Sequence, residues 1–264
     1  MARPFLSVVI PAFNEGGRIE ATVRLIAAHL STKRYEWEIV VADDGSEDGT
    51  AAIVRELTRT QPRVRLVQVA HGGKGWAVRH GMLAAQGKWR FMCDADLAMP
   101  PEQIDRFFVG EDGLPPYDVC VGSREAPGAR RFGEPWRRHM AGRAFNWVVR
   151  MVAVRGLDDT QCGFKLFRGD VVSMLFERQR LRGFAFDVEA LHLSRKAGLS
   201  IGEIAIDWRY PGDSSVSLRR GASAFVDILR IRLNDLLGRY RLPAGAAAAA
   251  AAPAHPAATD SDEA

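Results

Sequence analysis

Residues 37–46 read WEIVVADDGS, a run of apolar and β-branched side chains that stops at two aspartates, a glycine and a serine. A short apolar run closed by turn residues predicts a buried strand over 37–42, and Asp-Gly-Ser suits a turn that leads into a helix. The same grammar recurs on both sides. Upstream, 5–10 predicts a strand stopped by Pro11, and Ile19, Val23, Ile26 and Leu30 fall at helical spacing over 18–30. Downstream, the pattern predicts a helix over 49–60, a strand over 64–69, a helix over 75–85 and a strand over 89–93. Asp94-Ala95-Asp96 follows that strand directly, then a helix over 101–109 and a strand over 117–122. Strands alternating with helices through short links predict an α/β fold with a mostly parallel sheet covered by helices. The polar clusters 11–15, 43–46 and 94–96 then all follow strands on one edge, where such sheets hold ligands.

The second half is less regular. Residues 126–135 read as a loop, 136–155 and 184–198 as helices, 200–207 as a strand and 222–240 as an amphipathic helix. We expect one α/β domain over 1–221, an amphipathic helix, a candidate for the membrane interface, over 222–242, and a disordered Ala/Pro-rich tail over 243–264. The chain has 264 residues, 47% hydrophobic, enough to bury a large core, and a formal net charge of +4. That mild excess suits either an ordinary solvated surface or attraction to phosphates and anionic membranes. Cys93, Cys120 and Cys162 lack metal-ligand spacing and suit a reduced, cytoplasmic setting. No stretch approaches the roughly 18 apolar residues of a spanning helix. No helix-turn-helix, zinc-finger or RRM signature supports nucleic-acid binding.

Asp94-Ala95-Asp96 sets two carboxylates two residues apart after a buried strand, where they can bind a hard divalent cation that bridges a diphosphate, or form a solvated acidic turn. Asp43 and Asp44 can accept from a base N–H or a ribose hydroxyl, or build an Asx turn and a helix cap. In His71-Gly72-Gly73-Lys74-Gly75 the glycines permit close backbone approach to a ligand and Lys74 adds a cation. It is not a Walker A loop: Gln68 and Gly75 stand where that motif needs Gly and Ser or Thr.

VVIPAFNE, IVVADDGSEDGT, GGKGWAVRHGM and FMCDADLAMP, in that order, resemble the family-two glycosyltransferases with a GT-A fold. GSR (122–124), DDTQCGFKLF (158–167), FDVEAL (186–191) and IDWRYPGDSSV (206–216) look like the dolichyl- or polyprenyl-phosphate glycosyltransferases, closest to the dolichyl-phosphate β-glucosyltransferase branch. The resemblance covers about residues 5–218. It implies an inverting transfer of a hexose, with UDP-glucose as the expected donor and a polyprenyl phosphate as acceptor.

By that resemblance Pro11, Ala12, Asn14 and Glu15 line the nucleoside pocket. Asp43 contacts base or ribose with Asp44 beside it, and Lys74 lies near the base and phosphates. Asp94, Ala95 and Asp96 hold the donor, and the two aspartates hold Mg²⁺ or Mn²⁺. Arg124, with one of Arg137, Arg138 or Arg143, grips the acceptor phosphate. Gln161 faces the donor sugar or the reacting centre, and Arg209 reaches toward phosphate groups. One departure stands out: Asp213-Ser214-Ser215-Val216 follows Gly212 where mannosyl relatives often carry Ser-Lys, so that lysine's contact is lost or moved to Arg219 or Arg220. An anionic phosphate acceptor needs no strong general base. Asp187 and Glu189 become base candidates only for a neutral hydroxyl acceptor, and otherwise read as polar positions on a helix.

A lipid acceptor implies a peripheral enzyme on the cytoplasmic face of the membrane. Phe225, Ile228, Leu229, Leu233, Leu236 and Leu237 share a helix face that suits either the interface or a core. The alternatives are a glycosyltransferase with a hydroxyl acceptor, a mannosyltransferase using GDP-mannose, and a non-catalytic nucleotide-sugar-binding protein.

Overall fold

The computed structural model describes residues 3–136, 140, 143, 154, 156–210 and 218–243, the side chains of 111 and 218–225 excepted. The first half alternates as predicted: β1 (Leu6–Ala12), α1 (Ile19–Ser31), β2 (Trp37–Asp43), α2 (Thr50–Thr60), β3 (Val64–Gln68), α3 (Lys74–Ala84) and β4 (Trp89–Met92). A 3₁₀ helix over Pro101–Phe107 stands where an α-helix over 101–109 is expected, and β5 (Val119–Ser123) follows. Then come β6 (Arg130–Phe132), β7 (Lys165–Arg168), α4 (Val172–Phe176), α5 (Phe186–Lys196), β8 (Ile201–Ala205), β9 (Asp207–Arg209) and α6 (Leu218–Leu236). Most of the expected 136–155 helix, the Asp213–Val216 departure and the tail from 244 lie outside the described residues.

Seven strands form the main sheet in the order β3-β2-β1-β4-β7-β5-β8, and β6 pairs with β9 separately. The β1, β2, β3 and β4 ladders and the β5–β8 ladder are parallel. β7 runs antiparallel between β4 and β5. The sequence reading assigned no strand at 165–168. β1 also extends through Pro11 to Ala12, contrary to the expected stop at Pro11. Pro11 is accommodated because β4 pairs only with Leu6–Val9 on that side, so the ring lies beyond the β4 ladder and breaks none of its hydrogen bonds.

The antiparallel strand determines the site. Met92 at the end of β4 stands opposite Lys165 at the start of β7, which brings the 158–164 segment alongside the residues that follow β4. Phe91, Phe107 and Phe164 fix that junction: Phe91 makes edge-on contacts with each of the other two at 4.9 Å. All three rings are fully buried, each a stabilisation of about 1.5–3 kcal/mol. The other face of the sheet packs α3, α4 and α5, with Val78, Met82, Phe167, Phe176 and Leu191 in one cluster.

Candidate active site

β1, β2 and β4 end side by side because they are parallel neighbours in register, so their polar C-terminal residues share one cleft. At the end of β2, Asp43 is fully buried, and among the described residues its Oδ1 has no hydrogen-bond partner and its Oδ2 receives only a long bond, 3.4 Å, from Ser46 N–H. A buried carboxylate oxygen left unsatisfied costs about 1–3 kcal/mol, more when charged, so this one is poised for a ligand N–H or O–H.

Asp44 has a different task. Its two carboxylate oxygens accept the N–H groups of Gly72 and Gly73 at 2.9 and 2.8 Å, and His71 Nδ1 stands 2.9 Å away. Those contacts occupy the carboxylate, so Asp44 acts by shaping the glycine loop. His71 in turn stacks on Phe13 with ring centroids 4.3 Å apart, leaving a partly exposed aromatic pair at the cleft mouth. Asn14 takes φ 55° and ties this loop to the 43–48 turn: its N–H donates to Ser46 Oγ and its Oδ1 accepts from Glu47 N–H. Glu15 N–H donates to Thr50 Oγ1 and its carboxylate pairs with Arg18 at 2.9 Å. Pro11 and Ala12 are buried in β1 and support this rim through their backbone, Ala12 O accepting Asp44 N–H.

Lys74, the first residue of α3, places Nζ 2.7 Å from Asp94 Oδ1. Burial works against its charge, but Asp94, Asp187 and Asp96 outweigh it and hold the ammonium above the usual lysine range. Asp187, buried on α5, pairs with buried Lys165 Nζ at 2.7 Å, and that same Nζ donates to Cys162 O. Burial raises the Asp187 carboxyl, while Lys165 and Lys74 pull it back. A chain of alternating charges thus runs Asp94–Lys74–Asp187–Lys165, from the cleft into the core.

Asp96 is open to the cleft, with one oxygen accepting Ala98 N–H at 3.0 Å. Its carboxyl is raised, first by loss of surrounding water and then by Asp94. Glu15 is raised too, by burial and then by Asp96, Asp94 and Asp48, so the β1 and β4 ends form one acidic rim. Leu97 adopts φ 46°, an uncommon conformation for a branched side chain, immediately after this carboxylate. Ala95 is buried and its carbonyl accepts the Thr22 hydroxyl. Asp94 and Asp96 are hard oxygen donors of the kind a divalent cation prefers, and two carboxylates leave most of its coordination to substrate oxygens and water. The arrangement fits a metal that binds together with a diphosphate. Among the described residues no three His, Cys, Asp or Glu side chains gather to hold an ion alone.

Arg124 is committed to the protein. Its Nε and one Nη reach the two oxygens of Asp159 at 2.6 and 2.9 Å, its N–H donates to the same carboxylate, and its guanidinium lies over Trp208. Asp159 is fully buried, which raises its carboxyl, yet Arg124 outweighs burial and holds it below the usual range. Gln161 is half-buried next to this pair, its N–H 3.3 Å from Asp159 Oδ1. Arg209 is exposed and its N–H donates to Ala98 O, which holds it beside the Asp96 turn. Arg143 is exposed; Arg137 and Arg138 lie outside the described residues.

The glycosyl transferase family 2 profile matches residues 7–175, which spans β1 to α4 and both carboxylate turns. The chain belongs to this family. It is a glycosyltransferase with a GT-A-like fold. Dolichyl-phosphate beta-glucosyltransferase from Dictyostelium discoideum is 32% identical over 264 aligned residues, covering 90% of this chain and 77% of that protein. The Homo sapiens protein of the same description is 30% identical, covering 90% and 78%. Among solved structures, glucosyl-3-phosphoglycerate synthase from Mycobacterium tuberculosis in complex with Mn²⁺, UDP and glucosyl-3-phosphoglycerate superposes with a TM-score of 0.64 at 18% identity, covering 92% of this chain and 81% of that one. At that identity the likeness speaks for the fold. Sequence patterning gives Gly163 and Lys165 no role in the site and offers Asp187 only as a base for a hydroxyl acceptor, whereas Asp187 pairs with Lys165; the KLF run after QCG, with a lysine inside an apolar stretch, is the available signal.

Proposed function

We propose that this glycosyltransferase moves glucose from UDP-glucose to a polyprenyl phosphate, dolichyl phosphate included, with inversion, at the cytoplasmic surface of a membrane. The observation that carries the reading is the convergence of Lys74, Asp94 and open Asp96 on the strand edge that also holds Asp43, with its unsatisfied oxygen. The similarity to dolichyl-phosphate beta-glucosyltransferases supports the acceptor class and the sugar. A solved neighbour crystallised with Mn²⁺ and UDP-glucose supplies the donor and the metal class.

In this reading Asp43 accepts an N–H of the donor base, beside the Phe13–His71 pair. Asp94 and Asp96 would hold Mg²⁺ or Mn²⁺. The ion would supply positive charge to the departing diphosphate oxygens. Lys74 stays protonated because acids surround it, and it adds a fixed cation on the same side. The acceptor is already an anionic oxygen. It attacks the anomeric carbon as the bond to the diphosphate oxygen breaks, the bonding pair leaves with UDP, and no proton has to be removed. Rate then depends on in-line positioning. An α-linked donor gives a β-linked product. Arg209 and Arg143 are the exposed candidates to meet the acceptor phosphate. Arg124 supports them by fixing the 158–161 segment, on which Gln161 sits.

Membrane contact is carried by α6. Ile228 and Ile231 enter the core, whereas Val226, Leu229, Leu233, Leu236 and Leu237 stay on the surface, Leu236 at 85% exposure. The face predicted from sequence is therefore split, and its exposed part suits an interfacial helix. No helix among the described residues is long and apolar enough to cross a membrane. A donor panel tests the sugar assignment: UDP-glucose turnover should exceed that of GDP-mannose at least tenfold and vanish with EDTA. Preference for GDP-mannose would replace the donor, and turnover unaffected by EDTA would remove the metal.

A further inference from the structure

Away from the carboxylate rim, a cavity of about 390 Å³ opens between α3, the segment 177–182 and the residues after α6. Five of its lining residues are arginines, Arg79, Arg178, Arg180, Arg182 and Arg239, against the single acid Glu177. Elsewhere in the molecule Arg18, Arg24, Arg63, Arg106 and Arg168 each hold a carboxylate within 2.9 Å. In the cavity the arginines meet neutral groups. Arg79 donates to Glu177 O, Arg178 to the carbonyls of Arg241 and Met174, and Arg239 to Asn234 Oδ1. Arg182 lies over the Trp76 ring at 4.4 Å. The nearby Glu189 offsets part of the charge, but its oxygens already accept Arg180 N–H, Leu181 N–H and Tyr240 OH. Holding five guanidinium groups around one cavity is unfavourable unless an anion joins them.

A second observation points to the same ligand. Gln179 lines the cavity and is only 4% exposed. Its Nε2 donates to Gly75 O at 2.7 Å and Leu181 O at 2.8 Å, while its buried Oε1 has no partner among the described residues. Both neighbours of the nitrogen are carbonyls, so the amide cannot be turned around, and the unmet need is for a donor. The site therefore calls for an anion that also carries an O–H. Phosphate near neutral pH and phosphate monoesters have both features.

We propose that this arginine cleft is a second anion site of the enzyme, taking a phosphate group or phosphate monoester, separate from the donor cleft. Its location supports this separation: Gly75 N–H and Trp76 N–H bond to Arg182 O, so the arginine segment packs behind the turn whose Lys74 faces Asp94. The phosphate can be free or borne by a lipid headgroup, and the exposed Leu233, Leu236 and Leu237 beside Arg239 make either source accessible.

The test is calorimetric titration of the full chain with inorganic phosphate at low salt and without metal, for wild type, R79Q/R180Q, R79K/R180K and K74Q. Saturable binding should weaken at least tenfold in R79Q/R180Q, persist in the lysine pair, and change less than twofold in K74Q. Unchanged binding in R79Q/R180Q, or loss in K74Q alone, would place the anion in the donor cleft and overturn the proposal. A parallel arm uses phosphatidylcholine vesicles with and without phosphatidic acid. Vesicle binding that needs phosphatidic acid and Arg79/Arg180, without binding of free phosphate, assigns the lipid-borne source. Binding in neither arm overturns the site. The lysine pair controls for folding, since it keeps the charge while changing the same positions.

Discussion

Gly163 lies so close to Asp94 that a β-carbon on it would stand 2.2 Å from the Asp94 Oδ2 atom. The glycine between Cys162 and Phe164 is therefore the back wall of the first carboxylate of the Asp94–Asp96 pair, and the antiparallel β7 strand is what brings it there. Gly163→Ala must push Asp94 away from Lys74 or displace the segment. Overpacking of this kind costs about 1–3 kcal/mol, and misplacing a reacting group by about 1 Å can cost on the order of a hundredfold in rate. We expect Gly163→Ala to lose transfer by more than tenfold while still unfolding cooperatively. Retention of full turnover would show that the Asp94 position is not critical.

Among the described residues Asp96 has one hydrogen-bond partner, Ala98 N–H, and its side chain is exposed. Asp96→Ala should abolish transfer and leave the melting temperature close to wild type. Near-normal turnover of this variant in EDTA would remove Asp96 from the metal.

Asp43→Asn separates recognition from chemistry. The asparagine keeps the size of the side chain but loses a carboxylate acceptor. The donor KM should rise at least tenfold with a smaller change in kcat. An unchanged KM would mean that the unsatisfied oxygen does not meet the donor.

Arg124→Ala leaves Asp159 as a buried, unpaired carboxylate, a loss of about 3–5 kcal/mol. The variant should therefore melt well below wild type at pH 7, measured by calorimetry. The sign with pH follows from the lowered Asp159 carboxyl. Its stabilisation is present above the unfolded aspartate pKa of 3.8 and is lost as pH falls through the lower folded value. The stability gap between wild type and Arg124→Ala should shrink in that acid range. A weakened acceptor dependence with no loss of stability would return Arg124 to the acceptor phosphate.

The parallel half of the fold was legible because most of its strands are short runs rich in apolar residues closed by turn residues, as in Trp37–Asp43. The same signal set Asp43, Asp94 and Asp96 at the ends of β2 and β4. β7 was not legible. Its first residue is Lys165, a charge that strands rarely bury, and the carboxylate that pairs with it, Asp187, lies on α5, more distant along the chain. The roles of Asp44 and Arg124 were obscured for a related reason. A carboxylate or guanidinium in a motif looks the same whether its partner is a ligand or the protein, and the partners here, the Gly72–Gly73 amides and Asp159, come from other segments. On α6 the spacing gave an apolar face but not its division between Ile228, in the core, and Leu229 and Leu233, outside it.

The most direct measurement is incubation of the full chain with radiolabelled UDP-glucose, a polyprenyl phosphate in detergent and Mg²⁺ or Mn²⁺, followed by butanol extraction. The account predicts label in the organic phase, lost with EDTA and in Asp96→Ala. Label that stays in the aqueous phase with every polyprenyl phosphate, under conditions where UDP-glucose still binds, would contradict it.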